Sequence, residues 1–418
     1  MTVHESTRPA APLLRNRNYQ LLWSSQALSL FGMNASTIAF PLVTLVLTHS
    51  PADSGVVLGV AAAAGLIVGV PGGALVDRWN RKKIMLYCEA IQAVAAGSLV
   101  LTLWWNVATV AQLAVVAAIM GGSEALFRPA ENACLPAIVP TDQLPGAVAM
   151  NAARAYLGNL GGTASGGFLF ALGRFVPFAA DLITHGLACI GLAFVRIPAR
   201  TVAPQPIHQL GREMAEGLRW VWGQPHIRTT TLCAAVLNLF FSAFYVVVIV
   251  VAQLRGMPAG EIGVMAAMLG VGGVAGSLAA PLLTKRFSPP VLVIGVFWVL
   301  AALTPLAVLI HNGYLMGLLF LVMALLPPAA NTAIVTEQLI LTPDELRGRL
   351  TGVLGVISGL AGAVGPVLGG AAVAAVSGGR ALQLCAAGIA ASALLATASR
   401  SLRHFPKHSG STVDSGNH

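Results

Sequence analysis

Gly72-Gly73-Ala74-Leu75-Val76-Asp77-Arg78-Trp79-Asn80-Arg81-Lys82-Lys83 is a short, densely charged loop between two long apolar runs. Only 9% of the 418 residues are charged and 56% are hydrophobic, so charge concentrated like this marks a place where the chain leaves an apolar medium. Mean hydropathy is +0.79, and the apolar share exceeds the roughly 45–50% of soluble domains. Crossing a hydrocarbon core of about 30 Å takes roughly 20 apolar residues in a helix. Runs of that kind lie at 20–47, 56–76, 84–104, 107–127, 147–172, 176–195, 229–252, 261–284, 290–310, 313–335, 351–376 and 380–398, which makes twelve spans. They lack the polar alternation of barrel strands, so the expected fold is an all-α integral membrane protein.

The cations set the orientation. Of 24 Lys and Arg residues, 21 fall in or beside segments that are cytoplasmic if the N-terminus is, leaving Arg174, Arg255 and Arg380 outside. The positive-inside rule therefore predicts both termini in the cytoplasm. Basic loops facing anionic lipid account for the net charge of +9, and no nucleic-acid partner is needed. The first apolar run is too long for a signal h-region, so the polar stretch before it is expected to stay as a cytoplasmic tail. Cys88, Cys134, Cys189, Cys233 and Cys385 are dispersed without a CxxC pair, which points to neither a disulfide framework nor a metal site. No cofactor is implied. The chain has no GxxxxGK[ST], HExxH or GxSxG pattern, and this argues against an ATP-driven pump or an intramembrane hydrolase.

Two halves are expected. Residues 1–18 form a tail, 19–195 a first six-helix bundle, 196–228 a basic, proline-containing linker, 229–398 a second bundle and 399–418 a second tail. In the linker, Leu210, Met214, Leu218 and Trp222 recur every four residues opposite Arg212, Glu213, Glu216 and Arg219, predicting an amphipathic helix on the inner membrane surface. The halves repeat each other. Pro129-Ala130-Glu131-Asn132 returns as Pro328-Ala329-Ala330-Asn331, and Pro140-Thr141-Asp142-Gln143-Leu144-Pro145-Gly146 resembles Pro343-Asp344-Glu345-Leu346-Arg347-Gly348. Gly162-Thr163-Ala164-Ser165-Gly166-Gly167 is answered by Gly365-Pro366-Val367-Leu368-Gly369-Gly370. Parallel halves of this kind hold a substrate near the midplane and rock against each other.

The loop from Gly73 to Lys82 resembles the G-x-L-a-D-r-x-G-r-k pattern of the major facilitator superfamily, with Asn80 in place of the usual glycine. Spans 5 and 11 resemble its G-x-x-x-G-P-x-x-G-G element, with Thr163 where proline is usual and Pro366 keeping it. Phe127-Arg128-Pro129-Ala130, Leu135-Pro136-Ala137-Ile138-Val139-Pro140 and Glu216-Gly217-Leu218-Arg219-Trp220-Val221-Trp222 are similar to the branch holding enterobactin exporters and macrolide-efflux proteins. The resemblance implies a bacterial inner-membrane exporter of amphiphilic small molecules, such as an antibiotic, siderophore or secondary metabolite, working as a proton antiporter and acting as a monomer among membrane lipids. Uptake of a small metabolite is the alternative class, and a transport-inactive sensor a more distant one.

Residue roles follow from the motifs and from the cost of charge in lipid. Gly73, Asp77, Arg78 and Arg81 are read as a conformational gate. Gly73 permits close helix approach, and Asp77 reaches the positive N-terminus of span 11 near Arg349 to hold the cytoplasmic side shut. Gly158, Gly162 and Gly166 in span 5, and Gly365, Pro366 and Gly369 in span 11, form a small-residue packing element. Asp181 and His185, four residues apart in span 6, are candidates for proton coupling, unless Asp181 merely caps a helical turn and His185 bonds locally. Glu124, Arg128 and Glu131 share one face of span 4, where Arg128 can pair with either acid; Glu124 is kept as a coupling candidate and Glu89 as a further member of this inner charge cluster. Arg154 can pair with an acid or meet an anionic substrate group. The superfamily lines its cavity with spans 1, 4, 7 and 10, which singles out Gln26, Ser29, Met33, Asn34, Ser36 and Thr37, then Asn238, Phe241, Ser242 and Tyr245, then Asn331 and Thr332. The same residues also suit interhelical hydrogen bonding.

Overall fold

The computed structural model describes residues 13–197, 210–399 and 402, and among these there is no strand. The first half is built from α1 (Arg17–Thr48), α2 (Pro51–Arg78), α3 (Arg81–Trp104), α4 (Val110–Ile138), α5 (Leu144–Leu172) and α6 (Val176–Phe194). A short helix α7 (Leu210–Gly223) precedes the second half. That half comprises α8 (Pro225–Leu254), α9 (Ala259–Arg286), α10 (Pro289–Leu303), α11 (Gly313–Leu325), α12 (Pro327–Ile340), α13 (Asp344–Ala375) and α14 (Gly378–Ala398). Both predicted tails, except for their innermost residues, and linker residues 198–209 lie outside the described residues.

Eleven helical segments are long and apolar enough to cross a membrane. The twelfth predicted span, α5, is a helix of 29 residues whose apolar run is interrupted by Asn151, Arg154 and Asn159. It is packed between α1 and α9. Two predicted spans are not continuous α-helix. Span 10 breaks at Leu326, where Pro327 and Pro328 remove amide donors and disfavour helix at the residue before them, giving α11 and α12. Span 9 tightens into a 3-10 turn at Thr304–Val308 around Pro305. Asn80 has a local function: it caps α3 by accepting from the amide of Lys83 at 3.1 Å.

The halves meet along α2 with α13 and α5 with α9, and the contacts are pseudo-symmetric. In α5, Gly158, Gly162 and Gly166 face α1, against Leu30, Phe31 and Ala35; in α13, Gly365 and Gly369 face Leu239 and Ala243 of α8. One residue further on, Gly167 meets Ala259 and Gly263 of α9, and Gly370 meets Pro51 and Gly55 of α2. A Cβ on Gly167 would lie 2.8 Å from Gly263 Cα, so glycine is required for this approach. The interdomain contacts concentrate at the end away from the chain's basic loops, here the far end. There Ile38, Leu42 and Leu45 of α1 are buried with Val246–Val251 of α8, and Gln253 Nε2 donates to the Leu42 carbonyl at 2.9 Å.

Towards the opposite, basic end, glycines on α2 and α13 lack such a neighbour. Gly73, Gly348 and Gly355 would each place a Cβ more than 4 Å from any neighbour. The close helix approach expected of Gly73 is therefore not made in this arrangement. Gly72 makes one instead, with a built Cβ 3.3 Å from the Ala125 carbonyl. The reason is geometric, because Gly72 faces α4 of its own half while Gly73, one residue on, is exposed. Helix α7 is present, but its buried face is Gly217 and Val221, set against Arg349, Leu350 and Val353 of α13, while Leu218 and Trp222 of the predicted stripe are exposed. Trp220 Nε1 donates to Thr342 Oγ1 at 3.1 Å, and Glu216 pairs with Arg349.

Candidate functional site

Buried ionisable groups are segregated between the halves. Of the acids, bases and histidines, Glu89, Glu131, Arg154, Asp181 and His185 are buried in the first; in the second, Glu337 is the only one among the described residues. Three of the five form one cluster, built where α3 and α6 pack against α1. Glu89 stands eight residues into α3, about 12 Å from its start, which is the depth at which antiparallel α6 presents His185. His185 Nδ1 lies 2.6 Å from Glu89 Oε2, and His185 Nε2 lies 3.2 Å from Asp181 Oδ1. Gln26 Nε2 donates to Glu89 Oε1 at 2.8 Å and Ser29 Oγ to Glu89 Oε2 at 3.2 Å, so the cluster is fastened to α1. Exposure is 0% for His185 and Asp181 and 1% for Glu89. Apart from the His185 ring, neither carboxylate oxygen of Asp181 has a hydrogen-bond partner among the described residues. Gly32 makes room for this acid, since a Cβ there would stand 3.0 Å from Asp181 Oδ1.

Two carboxylates around one imidazole carry a net negative charge when the imidazole is protonated and none when a second proton is added. Sequence reasoning found Asp181 and His185 through their i, i+4 spacing. It missed Glu89, which belongs to this cluster and not to the inner charges of span 4, because nothing local in α3 reports that α6 lies beside it.

The other ionisable candidates resolve into two pairs. Arg128 Nε binds Glu124 Oε1 at 3.0 Å within α4. Glu131 does not share Arg128; it binds Arg154 Nη2 of α5 at 2.7 Å, with both side chains buried. Arg154 is therefore an interhelical ion pair and not a cavity-lining group. Gln26 likewise leaves the cavity list, being committed to Glu89 and buried. Of the remaining α1 stripe, Ser36 donates to the Pro177 carbonyl at 3.4 Å, and Thr37 alone is exposed. Asn34 Oδ1 accepts from Asn159 of α5 at 3.0 Å, tying two helices of one half.

A cavity of about 520 Å³ lies against the second half, within the roughly 300–1,000 Å³ typical of small-molecule pockets. Asn238 and Phe241 of α8 and Asn331 of α12 line it. Phe297 of α10 adds a second ring, and Tyr156 of α5 and Ser277 of α9, joined at 3.3 Å, close one side. No Asp, Glu, Lys, Arg or His side chain lines it. Tyr245 is not in the lining; it stacks on Phe320 with ring centroids 6.0 Å apart. At the gate, Arg81 donates to the Ala133 carbonyl and Lys82 to the Ala193 carbonyl, both inside the first half. The Asp77 side chain lies outside the described residues, and Arg349, its expected neighbour, is engaged by Glu216.

Comparison with known proteins agrees with this architecture. The chain is similar to the multidrug efflux pump Tap of Mycolicibacterium fortuitum, 26% identical over 81% of this chain and 85% of that protein. It is 24% identical to the enterobactin exporter EntS of Shigella dysenteriae over 66% of each chain. Macrolide efflux protein A of Streptococcus pyogenes is 29% identical, over 48% of this chain and half of its own length. Among solved structures, the nucleoside transporter NupG superposes with a TM-score of 0.74 at 13% identity, covering 91% of this chain and 99% of its own. A bacterial homologue of the lysosomal transporter Spinster, solved inward-facing and occupied, gives 0.71 at 16% identity, covering 93% and 96%. Both share the major facilitator fold of two six-helix bundles. Residues 7–414 match the transmembrane secretion effector family, and the chain belongs to that family.

Proposed function

We propose that this protein exports amphiphilic small molecules by alternating access, with proton entry as the driving reaction and its basic end in the cytoplasm. The observation that carries the reading is the division of chemistry between the halves. The second half offers a neutral, aromatic cavity with a few amide and hydroxyl groups, suited to an organic molecule with an apolar body. The first half offers a sealed cluster of Glu89, His185 and Asp181, suited to exchanging one proton. Helix α1 connects the two, because it holds Glu89 through Gln26 and Ser29 and also packs on α8 at the far end. A change in protonation that repositions α1 therefore acts on the far-end closure.

The direction of transport rests on the relatives, which are named as efflux proteins and an exporter; uptake has no comparable support. The arrangement described, with the halves in contact at the far end and glycines of α2 and α13 without such neighbours towards the basic end, is then the state that loads substrate from the cytoplasmic side. The test is accumulation of fluorescent dyes and labelled antibiotics in efflux-deficient cells expressing the protein, with and without an uncoupler. Lower accumulation that the uncoupler restores supports gradient-driven export. Unchanged accumulation across the panel contradicts export of this substrate class.

A further inference from the structure

Between α2 and α13 the separation changes along the helices. From the far end they touch at Gly55 against Pro366, Gly59 against Ala363 and Val367, and Gly359 against Leu66. Beyond Leu66 they splay, and Gly355 has open space in front of it. The result is a wedge of about 520 Å³, closed behind by α4 and at its basic end by Met214 of α7. Its walls are glycine and apolar side chains, including Leu66, Val70, Ala125 and Val356. Ile67, Val70 and Leu360, on the helices that frame it, are exposed. Val70 faces the wedge itself, whereas the exposed apolar side chains of Ile67 and Leu360 beside it suit hydrocarbon, which makes lipid the expected neighbour on this flank.

The wedge contains one acid and one base. Glu124 is 27% exposed on its wall, and its partner Arg128 is 65% exposed beside it. Arg128 is exposed and Glu124 half-buried, and an i, i+4 pair with one partner in the open is weakly held. An ammonium entering on an apolar chain can take the Glu124 carboxylate while Arg128 turns to the headgroup layer, where a guanidinium is well solvated. An anionic amphiphile has no such exchange available, because Arg128 already lies at the rim and binding it would leave Glu124 in the wedge without a cation. The opposite flank has no acid among the described residues of α5 and α9 along its inner half, and it is bridged by Tyr156 and Ser277.

We propose that this wedge is a lateral binding site through which an amphiphile bearing a protonated amine enters from the bilayer, with Glu124 as its counter-ion. The inference rests on the transport reading for its purpose but not for its test. The full chain in nanodiscs of zwitterionic lipid is photolabelled with a dodecylamine carrying a diazirine in its tail, and with the matching dodecyl sulfonate. The amine should label residues 62–70 and 351–359, compete with unlabelled dodecylamine, and fall at least fivefold in Glu124→Gln. Gly355→Leu, which fills open space, should abolish the label while leaving the unfolding temperature unchanged. Equal labelling by amine and sulfonate, or full labelling of Glu124→Gln, overturns the site. Labelling needs no gradient, so uncoupler-sensitive efflux without it removes the lateral site alone, and labelling without efflux removes the export reading alone.

Discussion

Glu89 and His185, 96 residues apart in the chain, meet at 2.6 Å in a part of the first half that water does not reach. Their contact joins α3 to α6, and Asp181 and the α1 side chains Gln26 and Ser29 complete the shell. On the proposed mechanism Glu89→Gln keeps the volume and the bond from Gln26 but removes one of the two ionisable acids. Gradient-driven efflux should fall more than tenfold and lose its dependence on external pH, while substrate binding to detergent-solubilised protein stays within about twofold. Wild-type pH dependence in this variant, or in Asp181→Asn, would remove the cluster from the coupling mechanism.

The pair of Arg154 and Glu131 makes a different prediction. Arg154→Met alone leaves a buried carboxylate without its cation and should cost about 3–5 kcal/mol. Adding Glu131→Leu should recover most of that loss, because an apolar pair can replace a buried ion pair of similar volume. Thermal unfolding of the two variants in one detergent distinguishes this from a substrate-binding Arg154, for which the double variant would be stable and inactive.

Far-end closure depends on glycine at Gly167 and Gly370. Valine at either position overpacks an interdomain contact, at a cost of about 1–3 kcal/mol borne by the closed state alone. Spin labels at exposed Asn106 and His311, in the loops after α3 and before α11, should then report a longer separation in Gly370→Val. An unchanged distance distribution would mean that these glycines pack helices without setting the conformational balance.

In the cavity, Asn238→Leu and Asn331→Leu should raise KM severalfold for an exported compound with kcat nearly unchanged, the pattern of lost uniform binding. Tyr245→Phe should change neither constant, because Tyr245 stacks on Phe320 outside the lining. Concentration dependence of efflux in everted vesicles measures both.

Much of this was legible in sequence, for identifiable reasons. Apolar run length fixes helices in lipid, where the backbone has no other partner, so α1–α4 and α6 fall close to the predicted spans. The repeat matched Gly166 and Gly167 to Gly369 and Gly370, and the family resemblance, which points to spans 7 and 10, singled out Asn238, Phe241 and Asn331, which share one cavity. Local spacing also paired Asp181 with His185. It could not join Glu89 to them or Arg154 to Glu131, because each contact depends on which helices lie side by side and at what depth. For the polar stripe of α1, sequence left cavity lining and interhelical bonding open, and Gln26, Ser29 and Ser36 bond to α3 and α6, because a helix in a bundle has neighbours on several sides. Pro327-Pro328 did carry a visible signal, and a proline pair within an apolar run reads as a break when weighed against run length.

The most direct test of the account is proton movement in proteoliposomes holding the purified protein and a pH-sensitive dye. Once an exported compound has been identified, adding it should drive proton flux in the wild-type protein, and Glu89→Gln should bind the compound without moving protons. Substrate transport with no accompanying proton flux in the wild type, or equal flux in Glu89→Gln, would contradict the assignment of coupling to the Glu89, His185 and Asp181 cluster.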